Sequence, residues 1–242
     1  MANYRAIKGY MVQSLSSDPS NIFTGQIWCN TTLGKFRGVK EVGAWSSGGN
    51  INIARANHSG ARAAPSTAAQ IAGGQTPPNT EKDETEQYDG TSWTEVGDLN
   101  SVRRSSTGFG TQAAAINVSG VSGGAGSTLC ESWNGTSWTE GNNLNQTREV
   151  IGDFGTSTAA MMAGGLFEQP YTYLDVCEQY DGTSFTEVAD LSLARGMTAN
   201  GAGTTSAGVI CGGRFQTVAN AHFTNVSEDW SFAAATSSWT TT

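Results

Sequence analysis

The chain has 242 residues, of which 14% are charged, with 31 glycines and a formal net charge of −8. Such a balance excludes a phosphate-backbone partner, because nonspecific nucleic-acid affinity rests on clustered Lys and Arg and no basic run is present. No apolar stretch reaches the roughly 18 residues of a membrane-spanning helix, and the start, Met1-Ala2-Asn3-Tyr4-Arg5-Ala6-Ile7-Lys8, lacks the apolar core of a secretory signal, so the expectation is folding in the cytosol where the chain is made.

In chain order, residues 1–20 read as an N-terminal arm ending at the Asp18-Pro19 break. Residues 22–24, 26–29 and 35–39 read as short strands around a turn at 30–34. Beyond them an aromatic residue, Trp45, Trp93, Trp138, Phe185 and Trp239, recurs at intervals of 48, 45, 47 and 54 residues. A period of this length marks a propeller or a solenoid, and 21–242 is expected to be one repeat domain. Around three of the aromatics the text is almost the same: Tyr88-Asp89-Gly90-Thr91-Ser92-Trp93, Trp133-Asn134-Gly135-Thr136-Ser137-Trp138 and Tyr180-Asp181-Gly182-Thr183-Ser184-Phe185.

Each repeat is expected to hold four strands. The Asp-Gly and Asn-Gly pairs predict tight hairpins in which both central turn residues take positive φ. An Ala-rich strand runs into a glycine doublet or its remnant, at Gly73-Gly74, Ser119-Gly120, Gly164-Gly165 and Gly212-Gly213, where a Cβ would clash. A Glu two residues before the first aromatic (Glu86, Glu131, Glu178, Glu228) and an Arg ten residues after the second (Arg55, Arg103, Arg148, Arg195) complete the unit. Every copy carries both, so a structural ion pair within or between repeats is favoured over an anion-binding ring. The large aromatic ring of each repeat is expected to cover the face toward its neighbour.

The cysteines fit the repeat as well. Cys130 and Cys177 precede the Glu, Cys211 precedes a glycine doublet, and all three read as buried free thiols, with Cys29 unassigned. His58 and His222 are the only histidines, His58 in a loop entering a first strand and His222 at the edge of a third. A copper site on two imidazoles is therefore disfavoured. No nucleophile elbow, phosphate loop or His-Glu-x-x-His motif occurs, and no cofactor or metal is expected.

The hydrophobic run into Gly-Gly followed by a separated aromatic pair resembles the kelch repeat over roughly residues 45–242, with the pair one residue closer than in most kelch units. The repeated Tyr-Asp-Gly-Thr-Ser-Trp-Thr text, with Gly25-Gln26-Ile27-Trp28-Cys29-Asn30-Thr31-Thr32 and Ala44-Trp45-Ser46-Ser47-Gly48-Gly49-Asn50, is similar to kelch-like virion proteins of marine tailed bacteriophages. The resemblance implies an all-β propeller with four sequence-evident blades and a partial fifth built from the N-terminal region. It also implies a non-enzymatic virion component of the tail or its fibres, with capsid-surface decoration or a head fibre as the alternative and a propeller enzyme, copper oxidase or glycan lyase, as the third. Expected partners are other virion proteins through the arm, a host-surface glycan and a second copy of the chain. Glycan contacts are expected on the variable loops 75–82, 120–128, 166–173 and 214–220, with Tyr171, Tyr173, Gln169 and Arg214 as the candidate ligand-binding residues.

Overall fold

The computed structural model describes residues 12–21, 26–38, 47–167, 172–196, 201–216, 221–233 and 236–241. Among them every regular element is a β-strand. The chain divides into two compact units, residues 1–47 and 48–242.

The first unit holds one three-stranded sheet in which Gln13–Leu15 runs parallel to Ile27–Asn30, and Ile27–Asn30 pairs antiparallel with Lys35–Gly38. The turn expected at 30–34 is present, closed by Gly34 at φ 62°. Asp18 is its polar hub: one carboxylate oxygen accepts from Asn30 Nδ2 at 2.8 Å and Trp28 Nε1 at 3.0 Å, and the other faces Arg37 at 3.3 Å. These contacts, the Asn30 bond first, hold its carboxyl below the usual range. The strand expected at 22–24 and the Trp45 signature lie outside the described residues.

The second unit contains four copies of one module, each a four-stranded antiparallel meander with its strands hydrogen-bonded in chain order. The strands of the first are Ser59–Gly60, Gln70–Ala72, Thr85–Tyr88 and Trp93–Glu95, and of the second Thr107–Thr111, Ala114–Val118, Cys130–Trp133 and Trp138–Glu140. The third has Gly152–Thr156, Ala159–Phe167, Thr172–Tyr180 and Phe185–Val188, and the fourth Ala202–Thr204, Ala207–Cys211, Ser227–Ala233 and Thr236–Thr241. These are the repeats read from the sequence.

The aromatic pairs close the outer hairpins as facing residues. Tyr88 opposes Trp93, Trp133 opposes Trp138 and Tyr180 opposes Phe185, with ring centroids 5.1, 5.4 and 4.7 Å apart. The turn between them differs from the two-residue type expected. Four residues separate each pair, and of the Asp-Gly or Asn-Gly dipeptide only Gly90, Gly135 and Gly182 take positive φ, between 96° and 97°. The preceding Asp or Asn has another task. Asp89 Oδ1 accepts the backbone N–H of Thr91 and Ser92, each at 2.8 Å. Asn134 and Asp181 repeat the same pair of bonds at 2.8–2.9 Å. A short side chain with an acceptor oxygen is what this turn selects, so Asp and Asn alternate freely.

Apolar cores lie between consecutive modules. Ala72 and Leu99 meet Ala115, Trp133 and Trp138 between the first two. Phe109, Ile116 and Val118 meet Ala160, Met162 and Tyr180 between the second and third, and Phe154, Met161 and Ala163 meet Ile210 and Trp230 between the third and fourth. The outer indole reaches its neighbour as expected: Trp138 Nε1 donates to Thr85 Oγ1 of the first module at 2.9 Å. Full burial of side chains such as Met161, Met162 and Ile210 contributes about 1.5–3 kcal/mol each.

This frame also corrects one cysteine. Cys130 and Cys177 are buried as expected, but Cys211 is exposed. Its counterparts Ala72, Val118 and Ala163 are covered by the following module, a cover that Cys211 lacks among the described residues.

Candidate functional site

The repeated polar residues form four copies of one buried network. Arg55 pairs with Glu86 at 2.7 Å, Arg103 with Glu131, Arg148 with Glu178 at 2.9 Å and Arg195 with Glu228 at 2.6 Å, with side chains at most 1% exposed. Each Arg comes from the segment entering its module, and each Glu from that module's third strand. The other carboxylate oxygen is held by a slot the sequence reading passed over. Asn52, Asn100 and Asn145 each bind it through backbone N and Nδ2 at 2.7–2.9 Å, and Ser192 through backbone N at 2.7 Å. The recurrence of Asn seven residues after three of the large aromatics was the signal available for it.

The backbone of Arg103, Arg148 and Arg195 is bonded to the preceding module. Arg103 N donates to Lys82 O at 2.9 Å while its carbonyl accepts from Gly74 N at 2.8 Å, and Arg195 repeats this with Leu174 O and Gly165 N. In the module between, Ser119 Oγ donates to Arg148 O. Arg103, Arg148 and Arg195 therefore each tie two modules together, side chain to one and main chain to the other. The glycine doublet is required by this approach, since a Cβ on Gly73 would sit 2.6 Å from Arg103 O. Burial draws the pKa of Arg103, Arg148 and Arg195 below the ordinary guanidinium value, and the facing glutamates oppose that shift. These arginines belong to the scaffold, as the ion-pair reading held.

With the recurring residues engaged in this way, candidate recognition surfaces lie elsewhere. The loops between second and third strands, read as variable, are short two-stranded ribbons: Gln75–Thr76 with Thr80–Glu81, Val121–Ser122 with Ala125–Gly126, and Arg214–Gln216 with Ala221–Phe223. In the third module the two strands run on past a bulge at Ala163/Gly165 to form the same extension. Adjacent ribbons touch. Glu81 accepts from Gly123 N at 2.6 Å and Gly124 N at 3.2 Å, and Thr172–Tyr180 lies against Arg214–Gln216.

Tyr173 is half-buried on this extension, opposite Leu166. The Arg214 guanidinium lies 5.5 Å from the ring centroid of Phe223, which is 82% exposed. The structure thus brings the strands of Tyr173 and Arg214 together and adds Phe223, which has no repeat counterpart to flag it. Gln169 and Tyr171 lie outside the described residues. His222 is a ribbon residue, its ring 5.6 Å from that of Phe215, rather than part of a third strand.

No protein-family model matches this chain, and no curated protein matches it.

A second surface is shared by all four modules. A pocket of about 220 Å³ is lined by Arg62 from the first module, Phe109 and Gly110 from the second, Asp153 and Phe154 from the third and Gly201 from the segment entering the fourth. The Arg62 guanidinium bonds to Asp153 Oδ1, and Thr107 Oγ1 donates to Asp153 Oδ2. The carboxylate is 1% exposed, and its burial pushes the pKa up to about 6 against the opposing pull of Arg62.

Proposed function

We propose that residues 48–242 form a small kelch-like β-propeller and that the chain is a non-enzymatic structural component of a tailed-phage particle. Its place is the tail or tail fibres, where it attaches to host-surface glycan. The observation that carries the reading is the division of labour in the repeat. The recurring Arg, Glu and Asn are consumed in building and joining the modules and the turn Asp in closing its own hairpin, while the segments that vary between modules are surface ribbons.

The propeller is supported by the succession of module-to-module cores and by one pocket shared by elements of all four modules. Attachment is supported by the ribbons bearing Tyr173, Arg214 and Phe223, since aromatic faces stack on sugar rings and guanidinium groups bond their hydroxyls. The virion assignment draws on the resemblance of the Tyr-Asp-Gly-Thr-Ser-Trp-Thr text to phage proteins. The sheet of residues 13–38 is the proposed contact to other virion proteins.

Immunogold electron microscopy of intact virions with antibody to this chain tests the assignment. Label at the tail or its fibres is expected. Label over the head would recast the protein as capsid decoration, and particles without label would sink the virion reading.

A further inference from the structure

Aligning the modules on their first hairpin, with one residue more after the buried Arg in the fourth, exposes two departures at the central pocket. Gly60, Gly108 and Gly201 occupy one slot, and the third module has Asp153 there. Gly110, Gly155 and Gly203 occupy the slot two residues on, and the first module has Arg62 there. Both departures are charged, and they bond to each other. Glycine serves these slots in the other modules, so the repeat itself does not call for the pair. A buried carboxylate also carries a desolvation cost that glycine would avoid.

We infer that the central pocket is a binding site for one neutral polyhydroxylated ring, a terminal monosaccharide unit of a glycan. Volume sets the size class: about 220 Å³, well above the ~10–15 Å³ that admits one water, is room for a single sugar ring. Charge sets the class of ligand. An anion would meet Asp153 and a cation would meet Arg62, whereas vicinal hydroxyls satisfy both, one donating to the carboxylate and its neighbour accepting from the guanidinium. Both groups have capacity in hand. A guanidinium has five N–H donors and one goes to Asp153, and a carboxylate offers about four lone-pair sites, of which Arg62 and Thr107 take two. The Arg62 side chain is 42% exposed and meets solvent directly, whereas Asp153, 1% exposed, lines the pocket beneath it. That the sugar ends a host-surface glycan rests on the attachment reading; the pocket does not.

The test is saturation-transfer NMR and calorimetry on the full chain. Its probes are D-glucose, D-galactose, D-mannose, L-rhamnose and N-acetyl-D-glucosamine, with D-glucosamine and N-acetylneuraminic acid as charged controls. The comparison is R62G/D153G, which restores the repeat's own glycines. At least one neutral sugar is expected to saturate in the millimolar range and to lose about tenfold or more in the double variant, the scale of a charged hydrogen bond to ligand. Binding that survives in the variant, preference for a charged control, or no binding to any sugar would overturn the site. Should the double variant fail to fold, R62K and D153N replace it, with weakened binding expected in both and unchanged affinity counting against the site. Sugar binding by a protein absent from virions would sink the attachment reading alone, and virion label without sugar binding would sink the site alone.

Discussion

Arg148→Met isolates the value of one buried tie. The change removes two donors, the bonds to Val176 O at 3.0 Å and to Glu178 Oε1 at 2.9 Å, from a site with no exposed side-chain surface. Glu178 keeps its bonds from Asn145 at 2.7 and 2.9 Å, but its charge stays buried and unpaired. Breaking such a pair from one side costs about 3–5 kcal/mol. For a unit of this size that corresponds to a fall of roughly 6–20 °C in Tm, at about 2–4 °C per kcal/mol. Adding Glu178→Gln removes the stranded charge while leaving a carbonyl oxygen for Asn145. The double variant is therefore expected to recover about 1–2 kcal/mol of the loss, despite one unsatisfied amide donor. Urea denaturation followed by tryptophan fluorescence and circular dichroism measures both. An Arg148→Met midpoint equal to that of wild type, or a double variant no better than the single, would refute the reasoning.

Gly164 and Gly123 have nearly the same φ, 62° and 63°, but a Cβ on Gly164 would overlap Arg195 O whereas one on Gly123 meets nothing within 4 Å. Gly123→Ala is expected to cost about 1 kcal/mol of backbone strain and Gly164→Ala at least ~2 kcal/mol more, compared by urea midpoint. Because the folded pKa of Asp153 is raised to about 6, its contribution to stability is present below the unfolded value near 4 and is lost as pH rises through 6, about 3 kcal/mol in all. Asp153→Asn is expected to remove that slope from a Tm series between pH 4 and 7, and an unchanged slope would count against the burial. An aromatic disulfide reagent on the native protein is expected to label Cys211 but to reach Cys130 and Cys177 only on unfolding, since both are buried with pKa pushed up to about 12. Fast labelling of Cys177 in native buffer would contradict the packing between the third and fourth modules.

The repeat was legible because its reasons are local and recur. Asp89, Gly90 and the Tyr88–Trp93 pair lie within six residues, and the buried Arg and Glu announce themselves by appearing in every copy. What escaped was set by tertiary contact. The separate ribbons have strands of two or three residues, as at Gln75–Thr76, too short for an alternating pattern to register. Exposure of Cys211 depends on which module comes next, not on its own neighbours. Asn100 carries no local mark of its role, which only the contact with Glu131 defines. Arg62 and Asp153 were hidden by the repeat itself, because attention to what recurs passes over a slot where one copy departs. Their meeting, 91 positions apart in the chain, is what the proposed closure of the modules would produce.

That closure is tested most directly by a double-mutant cycle on Arg62 and Asp153, using Arg62→Ala, Asp153→Ala and the pair in the full-length protein. The first and third modules are not consecutive, so coupling between these residues reports that opposite modules meet around a shared centre. With Arg62 partly exposed and Asp153 buried, a favourable coupling of about 1–2 kcal/mol is predicted. Additive losses, with coupling within error of zero, would mean that the two side chains do not touch in solution and that the modules do not enclose a common pocket.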